Sequence, residues 1–148
     1  MQAIRRNVLR MLAITVAAVL LPVRRLAAEW NKPAFDSEDM NRSLALIGAQ
    51  ETQPSDQIRF KTPEIAENGA IVPIEIESRL PDTEIMYVLV EKNPQPLAAS
   101  FRFAGGAEPF VATRIKMNET SRAMLVVKAG GKYYSAEREV KVTIGGCG

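Results

Sequence analysis

The chain carries a single cysteine, Cys147, in the run Gly145-Gly146-Cys147-Gly148, and no histidine. A thiol can act as a nucleophile, as the acceptor of a sulfur group, or as one half of a disulfide, and its reactive form is the thiolate. The flanking glycines give Cys147 no neighbouring side chains to pack against and leave the backbone free to turn almost anywhere. Four residues beyond Ile144 span at most roughly 13 Å at about 3.3 Å each. The run therefore reads as a slim, flexible arm able to carry a sulfur atom into a narrow cleft of another protein. The same residues also suit an incidental terminal thiol, or a cysteine that pairs between two chains.

What is absent narrows the chemistry further. Without imidazole there is no Ser-His or Cys-His nucleophile pair and no histidine-held haem, zinc or blue copper. One cysteine excludes an internal disulfide, a CxxC redox pair and a cysteine-held iron-sulfur cluster. Met40, Met86, Met117 and Met124 lack metal-box spacing and read as core or surface filler. Glu75 and Glu77 alternate with Ile74 and Ile76 as a solvated sheet face does, Asn68-Gly69 reads as a turn, and Tyr133-Tyr134 as part of a strand. No catalytic residue, metal site or cofactor is expected. A free cysteine has a pKa of about 8.5, and the nearest cation in sequence is Lys141, so activation of the thiol is expected to come from whatever receives it.

The elements that would hold such an arm begin with a leader. Of 19 Lys and Arg, five (Arg5, Arg6, Arg10, Arg24, Arg25) lie in residues 1–28 with no acid among them. The rest of the chain carries 14 basic against 17 acidic residues, a mildly acidic body with no basic cluster for nucleic acid. The stretch Met11 to Val23 is apolar but shorter than the roughly 20 residues of a membrane span. With Leu26-Ala27-Ala28 as a small-residue exit, residues 1–28 read as an export signal cleaved after Ala28. Arg5-Arg6-Asn7-Val8-Leu9 fits the twin-arginine pattern, so the expected location is the periplasm.

The body predicts one short helix and then sheet. Ser37 is a candidate N-cap, with Glu38 and Asp39 in the first turn, Leu44 to Ile47 as an apolar stripe and Gly48 as the stop. Period-two alternation and turn chemistry then place strands at Gln57 to Lys61, Ala70 to Ser78, Glu84 to Lys92, Ala99 to Phe103, Ala112 to Met117, Arg122 to Ala129, Lys132 to Ala136 and Arg138 to Ile144. Val140, Val142 and Ile144 share the inward phase of the last of these. Gly130-Gly131 reads as a two-residue hairpin turn, and Pro73 as a mark of an edge or bulge. Short strands about ten residues apart with no helix between them predict an all-β fold, an immunoglobulin-like antiparallel β-sandwich. The organisation expected is a signal at 1–28, an N-terminal segment with a short helix at 29–56, a sandwich body at 57–144 and the arm at 145–148.

The run Val140-Lys141-Val142-Thr143-Ile144-Gly145-Gly146-Cys147-Gly148 then joins Ile65-Ala66-Glu67-Asn68-Gly69-Ala70, Val72-Pro73, Glu91-Lys92-Asn93-Pro94 and Thr113-Arg114-Ile115-Lys116-Met117. Together, from about Phe35 onward, these motifs resemble the SoxY family, the sulfur-carrier subunit of the Sox thiosulfate-oxidation system. The resemblance implies a heterodimer with SoxZ, a small β-sandwich subunit. It implies Cys147 as the covalent attachment point for thiosulfate-derived sulfur, with Gly145, Gly146 and Gly148 as the arm. It further implies presentation to the c-type cytochrome SoxAX, the manganese hydrolase SoxB and, in some systems, the sulfane dehydrogenase SoxCD. SoxY-like ends commonly carry two glycines after the cysteine. A single Gly148 would bring a terminal carboxylate nearer the sulfur and disfavour the thiolate. Against the carrier stands an adaptor sandwich whose tail cysteine forms an interchain disulfide.

Overall fold

Alternating apolar residues become sheet in this chain, and most turns fall where Gly, Pro and Asn punctuate the pattern. The computed structural model describes residues 30–144. The expected leader and the arm with Cys147 lie outside the described residues. From Asn31 the order is α1 (Lys32–Phe35), α2 (Met40–Leu46), β1 (Gln53–Pro54), β2 (Ile58–Lys61), β3 (Ile65–Ala66), a 3-10 turn (Gly69–Ile71), β4 (Val72–Ser78), β5 (Thr83–Val90), β6 (Leu97–Arg102), β7 (Phe110–Ile115), β8 (Ser121–Ala129) and β9 (Lys132–Val142). One sheet runs β1-β9-β8-β5-β6, with β3 also paired to β9; the other runs β2-β4-β7. No helix among the described residues is long and apolar enough to cross a membrane.

The two sheets face each other across one core. Phe60, Val72, Ile74 and Ile76 from the smaller sheet meet Met86, Val88, Val90, Leu125, Val127 and Val140 from the larger. A fully buried side chain of this size contributes about 1.5–3 kcal/mol relative to exposure, so these positions dominate the stability of the sandwich. β5 and β8 bury residues of both phases because the outer face of the larger sheet is covered as well. There Leu89, Met124 and Val126 pack with Ala34, Ile47 and Ala49 of the helical segment, which explains why these two strands read as nearly unbroken apolar runs.

The helices differ in detail from the expectation. Asp39, not Ser37, caps α2: its carboxylate accepts from the Arg42 amide at 2.7 Å, while the Ser37 hydroxyl bonds to the Asp39 backbone. Ahead of the one helix expected, Lys32 to Phe35 form a further helical turn that Asn31 caps and that tolerates Pro33 near its start, where no amide is needed. The Asn31 amide group also donates to the Leu46 carbonyl at 3.0 Å, joining the two helices.

Two expected strands, Lys132 to Ala136 and Arg138 to Ile144, are one strand. β8 and β9 pair without a register shift from Ser121↔Val140 to Ala129↔Lys132, and this long-range pairing carries β9 through the weakly apolar middle. Gly130 and Gly131 close the hairpin at φ +55° and +74°, a conformation that favours glycine at both positions. Pro73 lies in the middle strand of the smaller sheet, but β2 stops opposite Glu75. At Pro73 β4 is locally an edge, as a residue without an amide hydrogen requires.

The segment 53–66 protects the outer edge of β9. It pairs in parallel as β1 (Gln53↔Tyr134, Pro54↔Ser135), crosses to the smaller sheet as β2, and returns in parallel as β3 (Ile65↔Lys141, Ala66↔Val142). The strand that leads to Cys147 is thus held at both ends along a side that would otherwise be open.

Candidate functional site

Cys147, Gly145, Gly146 and Gly148 lie outside the described residues, and the structure instead defines the platform from which they start. After β3 the backbone continues beside β9 as a ladder. The Lys141 amide donates to Glu64 O at 2.9 Å, the Thr143 amide to Ala66 O at 3.1 Å, and the Gly69 amide to Ile144 O at 2.8 Å. The Thr143 hydroxyl adds a bond to Glu67 O at 2.9 Å. On the other side of β9 the Val142 amide donates to the Thr120 hydroxyl oxygen at 2.9 Å, a side chain replacing the β8 backbone just before that strand begins. Backbone amides and carbonyls therefore fix the chain as far as Ile144.

Three loops converge on this platform. Asn68 caps the 3-10 turn, its side-chain oxygen accepting from the Ala70 amide at 2.9 Å, and the buried Gly69 offers its carbonyl to the Met117 amide at 2.7 Å. Met117 itself is fully buried in the core. The Asn93 side chain donates to Lys116 O at 2.8 Å and accepts from the Asn118 amide at 2.9 Å, tying the β5–β6 loop to the end of β7. Gly69, Asn93, Thr120 and Thr143 are structural determinants that reading the residue types alone passed over as turn and strand material. The signal that could have found them is positional. Asn68-Gly69 precedes β4, Asn93-Pro94 follows β5, and β9 finishes at the same end of the sandwich.

Ionisable groups among the described residues give no alternative centre. Glu84 is held below the ordinary carboxylate range by its hydrogen bond from Lys128, and Lys128 is raised in turn; they sit toward the opposite end of the sheet. Arg122 is raised by Glu137 and Glu91, within a solvated surface triad at 3.2–3.3 Å. Burial raises the Tyr87 hydroxyl under the helical segment. Among the described residues no group of three Cys, Asp or Glu could hold a metal ion.

Against this geometry, the family model described as "Sulfur oxidation protein SoxY" matches residues 43–147, a span that takes in the whole platform and reaches the cysteine. The chain belongs to the SoxY family. Its fold is similar to that of the SoxY sulfur carrier protein from Chlorobium limicola f thiosulfatophilum: 36% identity, covering 77% of this chain and 100% of that one, with a TM-score of 0.65. Two variant forms of the superoxide reductase (neelaredoxin) from Ignicoccus hospitalis share the fold alone. They are 16% and 15% identical, cover 66% and 70% of this chain and 86% and 92% of theirs, and have TM-scores of 0.52 and 0.51. No curated protein matches. The immunoglobulin-like sandwich expected from the sequence is the fold of this SoxY chain.

Proposed function

We propose that the protein is a periplasmic sulfur carrier, a substrate-bearing subunit with no catalytic cycle of its own, whose Cys147 holds thiosulfate-derived sulfur covalently. The observation that carries this reading is the conjunction of a platform bonded rigidly up to Ile144 with a tail of three glycines and one thiol immediately beyond it. A fixed base with a slim tip suits delivery of one atom to several recipients. Similarity to a solved sulfur carrier and membership of the SoxY family support the same role.

The chemistry balances as two steps performed by partners. In the first, the Cys147 thiol and thiosulfate join through a new S–S bond, releasing one proton to solvent and two electrons to a c-type cytochrome of the SoxAX kind, and leave Cys147–S–S–SO3⁻. In the second, water activated by a SoxB-type hydrolase attacks the sulfonate sulfur and breaks its bond to the neighbouring sulfur, releasing sulfate and one proton and leaving the persulfide Cys147–S–SH. A SoxCD-type dehydrogenase is the proposed consumer of that persulfide, and a SoxZ-type sandwich the constant partner. Export by the Arg5-Arg6 signal would place all of this outside the cytoplasm.

The test is intact-mass measurement of the full chain, co-expressed with its small partner, after incubation with thiosulfate and the cytochrome. A thiosulfonate adduct that disappears in Cys147→Ser is the expected result. A disulfide dimer as the sole modification would replace the carrier with the adaptor, and turnover of thiosulfate by the isolated chain would make it an enzyme.

A further inference from the structure

Three large apolar side chains are displayed around the platform. Ile65 is 59% exposed, Ile71 58% and Ile144 67%. They stand on backbone segments bonded to one another: Ile65 pairs with Lys141, Ile144 O accepts from the Gly69 amide, and the Ile71 amide donates to Asn68 O at 3.3 Å. Ile144 is the most informative, because alternation along β9 predicts it inward with Val140. Instead the strand ends at Val142 and the side chain faces water. Exposed Glu64, Glu67 and Lys141 border the group, so the surface has an apolar centre with a charged margin, the anatomy of a contact patch.

The reach of the arm says what meets this patch. Cys147 is three residues beyond Ile144, so its Cα lies no farther than roughly 10 Å from that of Ile144 at about 3.3 Å per residue. A protein that encloses the thiol must come up against whatever surrounds Ile144. We infer that Ile65, Ile71 and Ile144 form a collar on which the arm-receiving enzymes dock, each presenting apolar side chains around the mouth of its active-site cleft. The collar is held by the same hydrogen bonds that fix the arm's origin, so docking sets the register of the thiol as well as adding contact area. This rests on the carrier reading and assigns the enzyme-facing surface within it.

The test uses the full chain with its partner subunit, loaded with thiosulfonate and presented to the sulfate-releasing hydrolase. Ile65→Ser with Ile71→Ser removes two apolar side chains that the core does not use. Phe110→Ser, a 48% exposed apolar residue at the opposite end of β7, is the control. The collar variant is expected to raise the hydrolase KM for carrier about tenfold while leaving kcat at saturation within about twofold. Thermal unfolding and labelling of Cys147 by iodoacetamide should be unchanged, and Phe110→Ser should leave KM unmoved. A KM within about twofold of the unmodified chain overturns the collar. So does loss of the partner subunit or of self-association in light scattering, since the patch would then serve that contact. If the unmodified chain never loads, the carrier reading fails; if it loads and KM does not move, the collar alone fails.

Discussion

The Gly69 amide donates to the Ile144 carbonyl over 2.8 Å while the Gly69 carbonyl accepts from the Met117 amide over 2.7 Å. One residue therefore links Ile144, the last described position, to a fully buried methionine that follows β7 in the other sheet. Moving Ile144 relative to the body would break bonds to both sheets, so the platform is fixed against them. On the carrier function proposed above, that fixed origin would be the same for every recipient.

Thr143→Val tests how firmly that origin is held. The substitution keeps the side-chain shape and deletes the bond to Glu67 O, 2.9 Å away on an exposed surface. Because water can replace the lost partner, the stability cost should be about 0.5–1 kcal/mol, at the lower end for a hydrogen bond. The distinctive readout is amide hydrogen exchange, which should speed up at Gly69 and Thr143 and stay unchanged in β5. Equal exchange throughout would show that the hydroxyl contributes nothing to the platform.

Asn93→Ala removes two bonds at once, to Lys116 O and from the Asn118 amide. The expected loss is about 1–2 kcal/mol in chemical unfolding with an unchanged m-value, since one loop is released and the core is untouched. A loss no greater than that of an ordinary surface substitution would mean that the two loops hold their places without it.

Tyr133 and Gly48 make a second, independent joint. The Tyr133 hydroxyl donates to Ile47 O at 2.9 Å, and a Cβ at Gly48, where φ is +80°, would stand 3.0 Å from that hydroxyl oxygen. Tyr133→Phe should cost about 1 kcal/mol through the carbonyl left unpaired. Gly48→Ala should cost at least as much, about 1–2 kcal/mol, because it adds left-handed strain to the close approach. Thermal melts of both proteins check this, and a Gly48→Ala variant as stable as the parent would contradict it.

Much of this architecture was legible in the residues. Ile74 and Ile76 against Glu75 and Glu77 set the inward face of β4, and Gly130-Gly131 set the β8–β9 hairpin, because both signals are local. β1 and β3 were not legible: each is two residues long and exists only because β9 offers an edge for parallel pairing. The apparent break near Glu137 vanished for the same reason, long-range pairing overriding a weak local pattern. At the site, the cysteine was conspicuous by type. The clamp on its root was invisible, since it consists largely of backbone carbonyls and amides that carry no side-chain signature. Ile144 departs in the opposite direction, sharing the phase of buried Val140 while lying past the end of the strand.

The Glu84–Lys128 pair, at 2.9 Å, predicts a pH signature. Its hydrogen bond from Lys128 is the main cause of the lowered Glu84 pKa, opposed by desolvation. A carboxylate with a depressed folded pKa contributes stability above its ordinary value of 4.5 and loses it as pH falls through the folded value. Lys128 is raised, so its contribution is present below its ordinary 10.5 and lost as pH rises through the folded value. Lys128→Met should thus melt earlier than the parent on the plateau between these windows and converge with it at both extremes. Both groups are substantially exposed, so added salt should narrow the gap. A pH-independent gap would assign it to lost packing of the lysine stem.

Arm length gives the sharpest separation between chemistry and delivery. Deleting Gly146 leaves the thiol, its glycine neighbours on either side and the whole platform in place, but shortens the reach from Ile144 by roughly 3.3 Å. A small alkylating reagent diffuses to the sulfur wherever it is held, so the iodoacetamide rate should not change. On the carrier reading, a recipient enzyme would hold its reacting atom at a fixed depth below the surface that rests on the platform. Because misplacement by about 1 Å can cost about a hundredfold in rate, the deletion should abolish most enzymatic loading. Inserting one more glycine should do less harm, since one added residue lets the chain reach the same depth at a small entropic cost. Equal loading of the shortened and parental chains, measured by intact mass over time, would show that the thiol is taken up without the platform serving as a stop.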